Sequence, residues 1–295
     1  MNAPASVRRT AEIEEPTNRY FIHPLAARLV PLFARLRVTP NAVSLTGLLF
    51  GLLAAYAYYH YRSIGWDVAG FAFMIAWHVM DGADGQLARF TRTHSHFGKV
   101  LDGIADILTF AAVYIALALA LRPDLGAGIV VLVAAAGGCH AIQAATYEAL
   151  RHEYDRQAWG RESPRPDRSA TGRAAFGTRI LERLDRLYYV GLGFPSAGVI
   201  ERGRESIDAA LKRQPADEAV VRERYREAFA PLLREGSLLS SNYHTLAIFG
   251  FAVANAPRAY FWFTILGFNL FLIAWLRRMS VRVTEFRSRV VAREP

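Results

Sequence analysis

The chain has 295 residues, 53% of them hydrophobic, and a formal net charge of +9. Its apolar residues form blocks of about 16 to 22 residues between charged segments, a pattern that indicates a membrane protein and not a soluble one. The basic residues are nearly all arginine and flank the apolar blocks, which favours lipid headgroups and phosphates over nucleic acid as partners. A single cysteine, Cys139, excludes a disulfide or a thiolate metal site within one chain.

The amino-terminal segment has two parts. Residues 1–18 are polar with mixed charges, unlike a cleavable signal peptide, and predict a loose cytosolic tail. Within residues 19–37, the stretch 20–36 places apolar side chains at helical spacing, but Pro24, Pro31 and two arginines in it argue against a spanning helix. We therefore expect an amphipathic helix at the membrane interface.

Six apolar blocks follow, four within residues 38–149 and two within residues 237–280. They predict an all-α polytopic membrane protein with six transmembrane helices. The segment RPD, at residues 122–124, is expected to separate the third span from the fourth. The predicted spans run from RVTPN to His60, Gly65 to Met80, Val100 to Leu121, Leu125 to Ala145, Leu238 to Val253 and Ala259 to Leu276.

The distribution of basic residues predicts the orientation. Six spans place both termini on one side, and the basic residues concentrate in the second connection and after the last span. Because basic loops remain in the cytosol, we expect the termini, including the tail at 281–295, to be cytosolic. The expected location is a bacterial inner membrane with the active site facing the cytoplasm.

A charged segment at residues 150–236 interrupts the membrane-spanning pattern. It contains two amphipathic pieces, which predict a helical cytosolic insertion. Its stretch 160–173 is rich in proline, glycine and serine and is expected to be mobile. The apolar faces comprise Phe176, Ile180, Leu184 and Leu187 in the first piece, and Val221, Tyr225, Phe229 and Leu232 in the second.

Four aspartates lie at the cytosolic ends of the second and third predicted spans. Asp81 and Asp84 are three residues apart, and Asp102 and Asp106 are four apart. On helices each pair shares a face, so an antiparallel hairpin can bring four carboxylates together at the membrane boundary. An EF-hand does not fit, since Gln86 occupies the position of the required glycine.

Four clustered carboxylates need compensating charge. A carboxylate within a membrane costs roughly 2.5 to 3.5 kcal/mol, and four also repel one another. Two divalent cations would cancel the charge, and all-oxygen ligation favours Mg²⁺ or Mn²⁺. Lys99 and nearby arginines are the alternative, but their flexible side chains match a compact carboxylate cluster less well.

The segment from Asp81 to Asp106 resembles the signature of the CDP-alcohol phosphatidyltransferase family. That signature reads DxxDGxxAR, eight residues, then GxxxDxxxD, and RVTPNAVSLTG before it is also similar to the family. The resemblance covers residues 20–149 well, and 237–280 only as topology. The matching positions are Asp81, Asp84, Gly85, Ala88, Arg89, Gly98, Asp102 and Asp106.

The resemblance implies a reaction in which a hydroxyl acceptor attacks the β-phosphate of a CDP-linked donor and CMP leaves. It implies that the four aspartates hold two metal ions and that Asp106 is the base for the acceptor hydroxyl. Gly85, Ala88, Arg89 and Gly98 would line the CDP site. The family also implies a homodimer.

Other polar residues have either a binding or a structural role in the sequence-based interpretation. Thr39 and Asn41 could contact the nucleotide or cap the first span. Arg151, Arg156, Asn242 and His244 could bind the acceptor headgroup or serve as anchors at the membrane edge. His78 is expected to be a packed or hydrogen-bonded histidine, and His140 and Asn269 are expected to form bonds between helices.

The sequence leaves three functions open. The first is transfer of a phosphatidyl group from CDP-diacylglycerol to a small alcohol, polyol or polyol phosphate. The second is transfer of a phospho-alcohol from a small CDP-alcohol to a lipid hydroxyl. The third, a cation carrier with intramembrane carboxylates, is disfavoured because the four aspartates cluster at one edge of the membrane.

Overall fold

The structure, a computed structural model, describes residues 12–93, 96–160, 191–213 and 217–291. Within these ranges the chain is helical apart from short connections, and no strand occurs, which confirms the predicted all-α fold. The chain divides into two compact units. The first contains Glu14–His140 and Ser241–Leu266, and the second contains residues 12 and 13 with the described parts of Ala141–Ser240 and Gly267–Pro295.

The first unit begins with a π-helical turn, Asn18–Ile22, that leads into helix α1, His23–Arg35. One face of α1 packs against helix α3 (Ile64–Thr91), and the other exposes Leu32 and Leu36. Helix α3 therefore covers one face of α1, and an amphipathic helix at the membrane interface stays a prediction. The buried cluster comprises Ile22, Ala26, Val30, Val43, Val79, Ala83 and Leu87.

The segment just before α1 is held in place. Glu14 forms an ion pair with His23, and the Asn242 side-chain amide donates to Glu15 Oε2 at 2.7 Å. Glu15 is buried as a result. The expectation of a loose tail therefore does not hold from Glu14 onward, and residues 1–11 lie outside the described residues.

Three further helices of the first unit build the framework of the site. They are α2 (Pro40–Tyr59), α4 (His96–Leu125) and α5 (Gly128–Trp159), the last of which continues into the second unit. Helix α2 packs against both α3 and α4. A Cβ atom at Gly51 would lie 2.4 Å from Thr109 Oγ1, so a glycine is required where α2 meets α4.

The remaining helices are α6 (Ala197–Arg213), α7 (Glu218–Gly236), α8 (Ser241–Val253), α9 (Pro257–Phe263) and α10 (Asn269–Val291). A π-helical turn, Thr264–Phe268, joins α9 to α10. In the first unit α8 packs against α3 and α9. In the second, α10 packs against α6 and α7, and the predicted apolar face of Val221, Tyr225, Phe229 and Leu232 is buried.

The first part of the predicted insertion cannot be compared with the structure. The piece carrying Phe176, Ile180, Leu184 and Leu187 lies outside the described residues, as does 161–173 of the stretch expected to be mobile.

Among the described residues, four helices are long and apolar enough to cross a membrane: Pro40–Tyr59, Leu101–Leu125, Gly128–Trp159 and Pro257–Arg289. The second and fifth predicted spans correspond to α3, which carries Asp67, Asp81 and Asp84, and to α8, which has 13 residues. At 1.5 Å per residue, α8 is about 20 Å long, shorter than a hydrocarbon core of about 30 Å. The protein is an integral membrane protein, and the count of six spans stays a prediction.

The helix ends differ from the predicted boundaries. Helix α3 continues past Met80 to Thr91, and α5 continues past Ala145 to Trp159. The predicted break at RPD is wrong, because Pro123 lies in the last turn of α4. The helix ends instead near Gly126, whose φ of +68° is the left-handed conformation that glycine adopts readily.

A polar network connects four helices inside the first unit. The Tyr114 and Tyr260 hydroxyls lie 2.7 Å apart, and each also contacts the Nδ1 atom of a histidine, His140 at 3.1 Å and His244 at 3.0 Å. The two imidazole rings stack with centroids 3.6 Å apart. Two hydroxyl protons cannot supply three hydrogen bonds, so at least one histidine carries a proton on Nδ1.

Candidate active site

Helices α3 and α4 bring three aspartates together. One carboxylate oxygen from each of Asp81, Asp102 and Asp106 lies within 4.8 Å of the other two, and all three residues are partly exposed. Asp102 and Asp106 share a face of α4 because they are one helical turn apart. The hairpin therefore has the geometry that the spacing of the aspartates predicts.

The fourth aspartate, Asp84, is buried beside α2. Its Oδ2 atom accepts a hydrogen bond from the Ser44 hydroxyl. Asp102 lies close enough to Asp81 and to Asp84 to interact with both carboxylates. All four carboxylates thus form one cluster, and Asp84 enters it from the α2 side.

Ser44 is a site residue that the sequence reasoning missed. A usable signal was its spacing, since Ser44, Gly47 and Gly51 fall on one face of a helix. Small residues on a common face indicate close approach to a neighbouring helix, and a hydroxyl among them can reach a group on that helix.

The cluster suits a divalent cation. Carboxylates at these separations repel one another unless a positive charge or a proton lies between them. Their donor atoms are all oxygen, the ligand type that Mg²⁺ and Mn²⁺ prefer. The Lys99 side chain, the alternative source of charge, lies outside the described residues. The residues present therefore fit the metal ions that the sequence predicts.

The predicted nucleotide residues lie at the same end of the first unit. Gly85, Ala88 and Arg89 follow Asp84 on α3, and Gly98 precedes Asp102 on α4. A Cβ atom at Gly85 would lie 3.4 Å from Arg89 Nη1, so the arginine side chain lies along this face of α3. Their role in nucleotide binding stays a prediction.

Thr39 caps helix α2, because the Ala42 N–H donates to Thr39 Oγ1 at 3.3 Å and Pro40 occupies the first helical position. Asn41 is partly exposed in the first turn of the same helix. Capping was one of the two readings of Thr39, and a nucleotide contact stays a prediction for both residues.

The predicted acceptor residues fall into different units, and each has structural contacts. Asn242 donates to Glu15, Thr17 and Asn18, and His244 is fully buried in the polar network. In the second unit, Arg151 pairs with Glu148 at 3.0 Å and Arg156 with Glu153 at 2.5 Å. The contacts of Asn242 and His244 join separate segments, whereas both arginine pairs lie within α5. Acceptor binding by the four residues stays a prediction.

Three polar residues within the predicted spans make the expected contacts. His78 is buried, with Nε2 2.9 Å from Thr245 Oγ1. His140 contacts Tyr114, and the Gln143 amide donates to Asn269 Oδ1 at 2.7 Å. Each contact joins two helices, as predicted for His140 and Asn269, and His78 is hydrogen-bonded, as predicted.

Together these features define a helical membrane protein with a carboxylate centre suited to divalent metal. Residues 37–187, just over half of the chain, match the CDP-alcohol phosphatidyltransferase family, and the chain belongs to this family. It is therefore related to enzymes that join a CDP-activated donor to a hydroxyl acceptor in a lipid context and use a divalent metal.

Among curated proteins, the chain is similar to the archaetidylinositol phosphate synthase of Pyrococcus horikoshii. The two are 36% identical over 92 residues, which cover 31% of this chain and 47% of the relative. The match thus spans about half of the relative's length.

Proposed function

We propose that the protein transfers a phosphatidyl-type group from a CDP-activated lipid to a hydroxyl of a polyol or polyol phosphate and releases CMP. The observation that carries the proposal is the meeting of the Asp81, Asp102 and Asp106 carboxylates within 4.8 Å. The choice of a lipid donor and a polyol phosphate acceptor is supported by the relative, which is named for making archaetidylinositol phosphate.

In this reaction the acceptor oxygen forms a bond to the β-phosphorus of the donor while the bond from that phosphorus to the CMP oxygen breaks. Asp106 accepts the proton of the attacking hydroxyl. Asp81, Asp84, Asp102 and Asp106 would hold two Mg²⁺ or Mn²⁺ ions, and the positive charge of these ions would offset the negative charge of the diphosphate and of the attacking and leaving oxygens. Gly85, Ala88 and Gly98 leave room for the nucleotide, and Arg89 pairs with phosphate.

The proposal also covers the location of the enzyme, its orientation in the membrane and its oligomeric state. The arginine distribution supports an orientation with the carboxylate cluster facing the cytoplasm of a bacterial inner membrane. We further propose a homodimer, on the basis of the family alone.

The test is CMP release by the purified full-length protein in detergent micelles with Mg²⁺ or Mn²⁺. The donors are CDP-diacylglycerol, CDP-archaeol and CDP-ethanolamine, and the acceptors are inositol phosphate, glycerol phosphate, inositol, glycerol and diacylglycerol. We expect metal-dependent CMP release with a CDP-lipid and a polyol phosphate. Release only from CDP-ethanolamine with diacylglycerol would support the reverse assignment of donor and acceptor, and no release from any donor would contradict both.

A further inference from the structure

The face of α2 that meets the acidic hairpin carries small residues. A Cβ atom at Gly47 would lie 3.2 Å from Met80 Cβ, and one at Gly51 would overlap Thr109. The α2 backbone therefore comes close to both α3 and α4. This close approach allows a side chain as short as serine to reach across to the neighbouring helix.

Ser44 lies on this face, about one turn before Gly47 and two turns before Gly51, and is buried. Its hydroxyl has two possible acceptors, the Asp84 Oδ2 atom and the Pro40 carbonyl oxygen at 3.2 Å. A serine hydroxyl has one proton to donate, and a bond to an ionised carboxylate is stronger than one to a neutral carbonyl. The proton is therefore directed to Asp84.

We propose that Ser44 is a positioning residue that orients Asp84 as a metal ligand. This inference rests on the proposed function, in which Asp84 is one of four ligands. With Oδ2 bonded to the serine, rotation of the carboxylate is restricted, and Oδ1 is the oxygen left for a metal ion. Hydrogen-bond partners of metal ligands commonly change metal affinity about 10- to 100-fold when they are removed.

The neighbouring hydroxyl of Thr46 provides a matched control. Thr46 Oγ1 donates to the Ala42 carbonyl oxygen at 2.8 Å on the exposed side of α2. This bond within one helix is the usual one for a serine or threonine in the middle of a helix. Ser44 differs from Thr46 because its proton is donated to a carboxylate on another helix.

The test uses the full-length protein in detergent micelles without substrate. Mn²⁺ binding is followed by the loss of the free-Mn²⁺ electron paramagnetic resonance signal in wild type, Ser44→Ala, Ser44→Thr and Thr46→Val. Thermal unfolding of the metal-free proteins is measured alongside. We expect Ser44→Ala to bind the tighter Mn²⁺ ion about 10- to 100-fold more weakly. Ser44→Thr, which keeps the hydroxyl, should restore binding to within about threefold, and Thr46→Val should match the wild type.

Two outcomes would overturn the role of Ser44. One is Mn²⁺ binding by Ser44→Ala at wild-type strength. The other is an equal loss in Ser44→Ala and Thr46→Val, because that loss would reflect the packing of α2 and not the contact with Asp84. A metal-free Ser44→Ala protein that unfolds like the wild type yet binds Mn²⁺ weakly supports the role.

The experiment separates this inference from the proposed function. If the wild type binds Mn²⁺ in a Ser44-dependent way but releases no CMP from any donor, the reaction is wrong and the positioning role stands. If the wild type releases CMP and Ser44→Ala binds Mn²⁺ normally, the reaction stands and the positioning role is wrong.

Discussion

Among the residues that the structure describes, carboxylates of the two units have different surroundings. In the second unit, Glu153 is buried and accepts hydrogen bonds from Arg156 at 2.5 Å, Gln157 at 2.7 Å and Arg204 at 2.6 and 2.8 Å. In the first unit, the carboxylates of Asp81, Asp102 and Asp106 converge within 4.8 Å.

The charge of Glu153 has a structural role, whereas the charges of the clustered aspartates have a functional one. Glu153 receives its compensating charge from arginines of the chain, so its negative charge is balanced within the protein. The contact with Arg204 holds two helices together. The aspartates instead meet one another, and their mutual repulsion is best relieved by cations from outside the protein. Substitutions in the two groups should therefore affect different properties.

The largest expected effect is that of Asp106→Asn. An amide cannot take the acceptor proton, so CMP release should fall by about a thousandfold or more, within the range of a lost general base. Binding of the CDP donor should remain largely intact. Asp84→Asn should instead lose metal and donor binding together, which equilibrium binding of a labelled CDP-lipid and of Mn²⁺ would measure.

Asp67→Asn is the matched control for both variants. Asp67 is a buried aspartate in the first turn of α3, far along the helix from Asp81. The variant should bind Mn²⁺ and release CMP at close to the wild-type rate. Near-normal activity of Asp106→Asn or Asp84→Asn would show that their roles are assigned wrongly.

A smaller effect is expected from crowding the contact between α2 and α4. In Gly51→Ala the new methyl group would overlap Thr109, which should cost about 1–3 kcal/mol and move α2 relative to the aspartates. Thermal unfolding and CMP release should both decline. Gly103→Ala is the control, since a Cβ atom there meets nothing within 4 Å among the described residues. Equal behaviour of the two variants would contradict the close packing of α2.

Weakening the Glu153 network should change stability alone. Arg204→Met removes two hydrogen bonds to a buried carboxylate, and we expect a loss of about 1–2 kcal/mol in unfolding free energy, since the arginine itself is partly exposed. The added stability that Mn²⁺ gives should stay as in the wild type, measured by thermal unfolding with and without the metal. Arg277→Met, at an exposed position of α10, is the control. A change in the stabilisation by Mn²⁺ would contradict the purely structural role assigned to Glu153.

The smallest effect concerns pH. Burial by itself raises the pKa of Glu12. Hydrogen bonds from Arg226 and Tyr154 and the positive charge of the arginine lower the pKa by more than burial raises it, so the pKa lies below its usual range. A lowered pKa means that this contact stabilises the fold at neutral pH and that the stabilisation is lost as the pH falls through the acidic range.

Glu12→Gln should therefore cost about 1 kcal/mol or less near pH 7, as a partly exposed ion pair does. The difference from wild type should shrink with acidification, which denaturant titrations at several pH values would reveal. A difference that grows toward low pH would contradict the sign of the pKa shift.

The helices and the acidic hairpin could be predicted from the sequence. The length of the apolar blocks indicates helices, and the spacing of the aspartates from Asp81 to Asp106 determines which of them share a helix face. The Ser44 contact could not be predicted, since it depends on how closely two helices pack. The same holds for His244. The sequence predicts it as an acceptor residue or a membrane-edge anchor, and in the structure it is buried and contacts the Tyr260 hydroxyl. The start of the fifth span also differs, because α8 begins at Ser241 and the predicted span begins at Leu238.

The most direct test of the central claim is anomalous diffraction at the manganese edge from crystals grown with Mn²⁺. The account predicts two peaks among Asp81, Asp84, Asp102 and Asp106, with Ser44 still bonded to Asp84. Crystals in saturating Mn²⁺ that show no peak among these four side chains would contradict it.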